Sequence, residues 1–238
     1  MDLKETEILG ASIGRHWYYR SKASAVIRLL GRAPVSTVID VGAGSGFFSR
    51  YLLCHTSARE AWCIDTSYTR EEDDREGEKP IHFRRVAKDI CADLVLVMDV
   101  LEHVDDDVAL LRAYVNRVPP GARFVVSVPA FQFLWSGHDV FLGHRRRYRL
   151  RQIEEVVSRA GLTVRRGVYY FGAVLPMGAV LRLLDRWRHR RSLPSRSQLS
   201  QHHPLSNELL ALLSRAELAV MPCNRLFGLT AFCLAEKC

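Results

Sequence analysis

Along residues 16–32 the apolar positions Trp17, Ala23, Val26, Ile27 and Leu30 recur at helical spacing and stop at Gly31, which predicts a leading helix. Short apolar runs then alternate with helical ones. Thr37–Val41 is a β-branched run ending in a glycine-rich turn, Phe47–His55 has helical spacing, and Ala61–Asp65 reads as a short strand. The very polar stretch 69–80 (TREEDDREGEKP) reads as a loop or frayed helix, and Ile81–Val86 as a third strand. Asp93–Val100 (DLVLVMDV) is the clearest buried strand. Asp105–Val118 is predicted helical with Asp105 as its N-cap, broken by Pro119-Pro120-Gly121. Arg123–Val128 is another buried strand, Leu150–Ala160 a helix closed by Gly161, and Leu162–Phe171 a strand.

Near-continuous apolar strands between helices imply a parallel sheet covered on both faces, a doubly wound α/β fold. Such folds bind ligands beyond the carboxyl ends of their strands. The segment VIDVGAGSGF (38–47) puts Gly42, Gly44 and Gly46 at such an end, where backbone can approach a ligand without a Cβ in the way. The spacing is GxGxG, and Phe47 stands where a dinucleotide fingerprint needs its third glycine. A nucleoside cofactor without a pyrophosphate therefore fits better, with a plain tight turn as the alternative. Asp65, 19 residues beyond Gly46, ends the second strand, where an acid can accept ribose hydroxyls. DLVLVMDVLEHV (93–104) carries Asp99, Glu102 and His103 at its exit. Capping of the following helix accounts equally well for the last two.

With VIDVGAGSGFFS, CIDTS, LVMDVLEHV and PPGARFVVSVPA in place, roughly residues 35–170 resemble the class I S-adenosylmethionine-dependent methyltransferases. Within them the chain is most similar to the small bacterial group akin to the quinone-biosynthesis methyltransferases. The resemblance implies a Rossmann-like, doubly wound seven-stranded sheet, mostly parallel with an antiparallel last strand, and S-adenosylmethionine as cofactor. It places Asp40, Gly42, Ala43, Gly44 and Gly46 around the methionine part, Asp65 and Thr66 at the ribose, and Asp89 at the adenine. Asp99, Val100 and Leu101 would line the pocket near the sulfonium. Strand six would be Leu162–Phe171 and strand seven Leu229–Glu236. The segment 172–228 is then a helical insertion between them, with Asn207–Val220 as its second amphipathic helix. The expected division is an N-terminal helical segment (1–34), a core (35–171 and 229–238) and the insertion.

Charge sharpens the picture. The 238 residues carry a net charge of +8, but residues 144–196 alone hold 14 Lys/Arg against 3 Asp/Glu, so an anionic partner would meet that region. The six cysteines form no CxxC pair and no metal-ligand spacing, so reduced thiols and no metal are expected. The acidic start, MDLKETEILG, does not read as a targeting segment, and no run of 18 apolar residues exists. A cytoplasmic protein is expected, placed by its basic region at the inner face of the membrane.

The acceptor side should be SVPAFQFLWSGHDVFLGHRRRY (127–148). A hydroxyl acceptor must lose its proton, and His138, Asp139 and His144 are the candidate catalytic groups. Arg145, Arg146 and Arg147 suit bidentate recognition of phosphate or carboxylate, with Tyr148 and Trp135 completing the substrate set. These residues point to O-methylation of a small or lipid-linked acidic acceptor. The insertion reads as a pocket cap or homodimer contact, or as an element lying on an anionic membrane surface. Nucleic acid is disfavoured, because no RNA-binding module is present and the aromatics are not interleaved with the arginines. A non-catalytic cofactor-binding scaffold is the reading from a different class. The glycine loop combined with Asp65 argues against it.

Overall fold

The computed structural model describes residues 10–87, 90–189 and 203–238. Its strands are β1 (Thr37–Val41), β2 (Glu60–Ile64), β3 (Glu72–Glu76), β4 (Lys79–Arg84), β5 (Leu94–Met98), β6 (Arg123–Pro129), β7 (Leu162–Tyr170) and β8 (Thr230–Lys237). Its α-helices are α1 (Trp17–Leu30), α2 (Phe47–His55), α3 (Asp107–Val115), α4 (Gly137–Leu142), α5 (Leu150–Arg159), α6 (Leu175–His189) and α7 (Pro204–Glu217).

The strands make one sheet in the order β3-β4-β2-β1-β5-β6-β8-β7. The block β4-β2-β1-β5-β6 is parallel, while β3, β8 and β7 run antiparallel to their neighbours. The two faces follow from the period of two along a strand. Val38, Leu94, Leu96 and Val125 pack into one core with α1, α2 and Phe232 of β8. Ile39, Val41, Val95, Val97, Phe124 and Val126 pack into the other with α3 and α5. Burial on both faces explains why these strands lack polar alternation.

The expected doubly wound fold is present, with differences of detail. Eight strands replace the expected seven. The polar stretch 69–80 is a hairpin rather than a loop or frayed helix: Gly77 (φ 62°) turns the chain between β3 and β4. Strand β3 carries no apolar residue because it is an edge strand facing solvent. Its acids are matched by Arg50 to Glu76 at 3.3 Å, and by Arg84 and His82 to Asp73 at 2.6 and 2.7 Å. The third predicted strand begins two residues earlier, at Lys79. The N-cap of α3 is Asp106 rather than Asp105. Asp106 Oδ1 accepts from Ala109 N at 2.8 Å, while Asp105 pairs with Arg145. The apolar run 168–181 divides between β7 and α6 around Phe171 (φ 64°), and α7 begins at Pro204 rather than Asn207. No helix among the described residues is long and apolar enough to cross a membrane.

Helix α1 ties the N-terminal segment to the centre of the sheet. Lys22 sits on its apolar face, fully buried, and its ammonium pairs with Asp99 at the exit of β5. Burial opposes the charge on Lys22, but Asp99 overcomes it and raises its pKa well above the ordinary lysine value. Asp99 keeps 21% of its side-chain exposure. Lys22→Met is therefore expected to cost about 3 kcal/mol, the low end for breaking a buried pair. Chemical denaturation reads this out, and an unchanged midpoint would mean that the pair does not hold α1 in place.

Candidate active site

The carboxyl ends of β1, β2 and β5 meet beside the glycine loop. Gly42, Gly44 and Gly46 all have positive φ (64°, 55° and 72°), which residues with a Cβ rarely adopt. At Gly46 an added Cβ would also lie 3.1 Å from the Phe83 ring and 3.2 Å from Cys63 Sγ. Gly42 N donates to the Ile64 carbonyl at 2.7 Å, which fastens the loop to the end of β2. Asp40 is buried beneath it and accepts from Ser49 Oγ at 2.9 Å. Burial pushes its carboxyl up to about 6.

Asp65 stands over the loop. Its carboxylate accepts from Gly44 N at 3.1 Å and Ser67 N at 3.0 Å, and Tyr68 Oη donates to the Gly44 carbonyl at 2.7 Å. A carboxylate beside a glycine cradle is an acceptor that suits the ribose hydroxyls of a nucleoside. Thr66 lies exposed at the same turn and Ala43 is buried within the loop. Asp99 takes a positive φ (53°) and accepts from Ser127 Oγ at 3.2 Å, while Leu101 is buried and Val100 half-buried behind it. Asp89 lies outside the described residues.

Next to Asp99 opens a cavity of about 170 Å³. Its polar lining includes Glu102, His103, His138, His144, Arg147 and Arg182, and its apolar lining Trp17, Leu142, Val174, Met177, Leu181 and Leu229. Helices α1 and α6 supply part of this lining. Sequence reasoning missed Lys22, Trp17 and Arg182 as neighbours of the site. For Lys22 the signal was a lone cation in the apolar phase of a helix.

The acceptor-side candidates are only partly brought together. Segment 137–142 is the short helix α4, and it carries Asp139 into full burial. Asp139 Oδ1 accepts from Arg147 Nε at 2.7 Å and faces His144 Nδ1 at 2.9 Å, while Oδ2 accepts from Ser136 N at 2.9 Å and lies 3.4 Å from Arg182. Burial alone would raise this carboxyl. The hydrogen bond from His144 and the charges of Arg147 and Arg182 overcome that and hold it well below the carboxylate range. His138 and His144 both line the cavity, and Asp139 stands behind them.

The arginines diverge. Arg145 Nε donates to the His103 carbonyl at 2.8 Å, and Arg146 reaches the Val104 carbonyl at 2.8 Å and Asp107 at 3.5 Å. Both therefore brace the 103–107 turn. Arg147 alone of the three lines the cavity. Tyr148 is buried, its hydroxyl 2.8 Å from Asp107 Oδ2, and Trp135 is half-buried beside the 3₁₀ turn Gln132–Leu134. Glu102 is buried, and burial and Asp99 raise its carboxyl well above the ordinary glutamate value.

Comparison with known proteins places this geometry. A family model described as a methyltransferase domain matches residues 15–166. Among solved structures, the chain resembles the protein crystallised with the Haloferax volcanii Trm112 methyltransferase activator, with TM-score 0.55 and 16% identity over 98% of this chain and 93% of that one. It also resembles phosphoethanolamine N-methyltransferase 2 of Haemonchus contortus in complex with S-adenosyl-L-methionine, with TM-score 0.55 and 12% identity over 98% and 60%. The [4+2]-cyclase SpnF gives TM-score 0.54 and 12% identity over 92% and 82%. At these identities the likeness is one of fold. Nothing among these matches singles out the quinone-biosynthesis group. No curated protein matches the chain.

Burial, and then the nearby Arg182 guanidinium, push the His138 imidazole down to about 3 from its ordinary 6.5. As pH falls below 6.5 the unfolded chain takes up this proton and the folded chain does not, so the folded state loses stability across the window from 6.5 to about 3. His138→Gln is expected to lose less stability than wild type between about pH 7 and 5. Equal slopes in pH-dependent melts would show that His138 titrates normally.

Proposed function

The chain belongs to the methyltransferase-domain family, with the fold of the class I S-adenosylmethionine-dependent methyltransferases, and from that premise we propose that it methylates an oxygen of a small or lipid-linked acceptor bearing an acidic group. The observation that carries this reading is the cavity that opens from Asp99, lined both by apolar residues and by histidines and arginines.

S-adenosylmethionine, when bound, supplies an electrophilic methyl group on a sulfonium. The chain's part is to align the acceptor with it and to exclude water. Gly42, Gly44 and Gly46 offer backbone to the methionine portion, and Asp65 accepts from the ribose hydroxyls. Trp17, Leu142 and Leu181 hold an apolar acceptor body and keep water from the reacting atoms. Arg147 and Arg182 draw an acidic group toward the polar lining. His138 is too weak a base to take the acceptor proton at neutral pH. His144, held by Asp139, is the candidate base that remains among the cavity-lining residues.

The fold alone does not fix methyl transfer as the reaction, since a cyclase also shares it. Cofactor binding and turnover do. Asp65→Ala is expected to weaken S-adenosylmethionine binding by roughly 10- to 100-fold, the worth of hydrogen bonds to a charged group, and Gly44→Leu to abolish it. Calorimetry reads both, and labelled cofactor incubated with lysate reads the product. Binding without any labelled product favours the scaffold. Undiminished binding by Gly44→Leu would show the cradle to be misplaced.

The insertion supports a second element of the reading, attachment to an anionic membrane surface. Leu205, Leu209, Leu212 and Leu213 follow helical spacing along α7 and are all exposed, as is Val180 of α6. The inner side of α7 is fixed to α1 by Asn207, which accepts from Trp17 N at 2.9 Å. An apolar face in a chain with a strongly basic region suits a surface of anionic lipid. The protein is expected to sediment with anionic vesicles at low salt, and Leu209→Asp with Leu212→Asp to release it. Indifference of wild type to vesicles, or a homodimer in solution buried through these leucines, would sink the membrane reading.

A further inference from the structure

At the exit of β5 one carboxylate has no ion-pair partner among the described residues. Glu102 is fully buried, and no other residue among those described hydrogen-bonds to its carboxyl oxygens. The neighbouring cations are paired with other acids, Lys22 with Asp99 and both Arg147 and Arg182 with Asp139. Buried carboxylates persist where a cation or hydrogen bonds complete them. Two imidazoles stand beside this one. One donor atom from each of Glu102, His103 and His144 lies within 4.8 Å of the others, and the two rings meet edge to face at 4.8 Å.

We propose that Glu102, His103 and His144 bind one divalent first-row transition cation on the wall of the acceptor cavity. Two imidazoles with a carboxylate suit zinc, manganese, iron or cobalt, whereas magnesium and calcium take oxygen ligands. Ligands 2.0–2.2 Å from a tetrahedral zinc stand roughly 3.4 Å apart, so small side-chain rotations close the set. The supporting contacts are already in place. His144 Nδ1 is engaged by Asp139, which leaves Nε2 to the cation, and a carboxylate behind a ligating histidine is the usual orienting partner. Arg145 N donates to the Glu102 carbonyl at 2.7 Å, fastening the loop that carries His144 to the turn that carries the other two ligands.

Three protein ligands leave coordination positions open, and the residues that provide them line the cavity. The site deepens the O-methylation reading, and only its catalytic consequence rests on that reading. With the cation bound, His144 would serve as its ligand rather than as a base, and an acceptor hydroxyl at an open position would lose its proton to solvent at lower pH. Its oxygen would then bond to the methyl carbon as the S–CH3 bond breaks, and S-adenosylhomocysteine would leave with the sulfur electron pair.

The test is a Co²⁺ titration of the chelator-treated full chain, followed by calorimetry and visible absorption. Wild type is expected to bind one equivalent, with the d–d bands of nitrogen and oxygen ligation. A thiolate charge-transfer band, which exposed cysteines such as Cys54 and Cys91 would give, should be absent. Glu102→Gln keeps the side-chain shape and is expected to lose the bands while retaining S-adenosylmethionine binding and a cooperative melt. His144→Ala is expected to lose them too. Failure of wild type to take up one equivalent overturns the site, and so does Glu102→Gln that binds Co²⁺ as tightly as wild type. Co²⁺ binding by a chain that does not bind S-adenosylmethionine would sink the methyl-transfer reading and leave the cation site standing. The converse result would overturn the cation site alone.

Discussion

A carboxylate that is fully buried and still charged sets the terms for the acceptor half of the molecule. Asp139 is tolerated because Arg147, Arg182, His144 and the Ser136 amide complete it. These partners come from the start of α4, the loop after it and helix α6, so satisfying one charge fixes three segments at once. Arg182 brings α6 to the cavity, Ser136 caps α4, and Arg147 reaches back to the Ala130 carbonyl at 3.0 Å at the end of β6. The segment after β6, with two histidines and five arginines in residues 138–155, is thus mostly internal wiring. Its basic character does not amount to one open anion-binding face.

The cofactor half depends on a different constraint, the close approach of backbone to ligand. Three positive-φ glycines on one turn are costly unless something needs the space. Asp65 and Tyr68, both bonded to Gly44, hold that turn open from the side of β2. The two halves join at Asp99, which Lys22 anchors from the leading helix.

Much of this was legible in residue patterns. The parallel core strands announced themselves through unbroken apolar runs, and the glycine loop and Asp65 through their position at strand ends. What escaped was set by contacts distant in sequence. Strand β3 has no apolar residue to mark it and exists because Gly77 and cross-strand arginines pair it with β4. Asp105 and Asp106 are equivalent as caps until Arg145 takes one of them. The diverging arginines could not be foreseen, since their partners are main-chain carbonyls of residues 103–105. The expectation of no metal came from cysteine spacing, which says nothing of a Glu-His pair meeting a histidine 41 residues on.

The two edges of the sheet differ in a way that bears on how the whole molecule moves. Strand β3 (EDDRE) is acidic, while β7 at the opposite edge presents Arg165 and Arg166. Charged side chains on an edge resist its pairing with the same edge of a second copy. Opposite charge at the two ends also gives the protein an electric polarity along the sheet. Were the protein to meet an anionic surface, this polarity would turn the β7 end toward it, and added salt would weaken the turn by shortening the reach of the field.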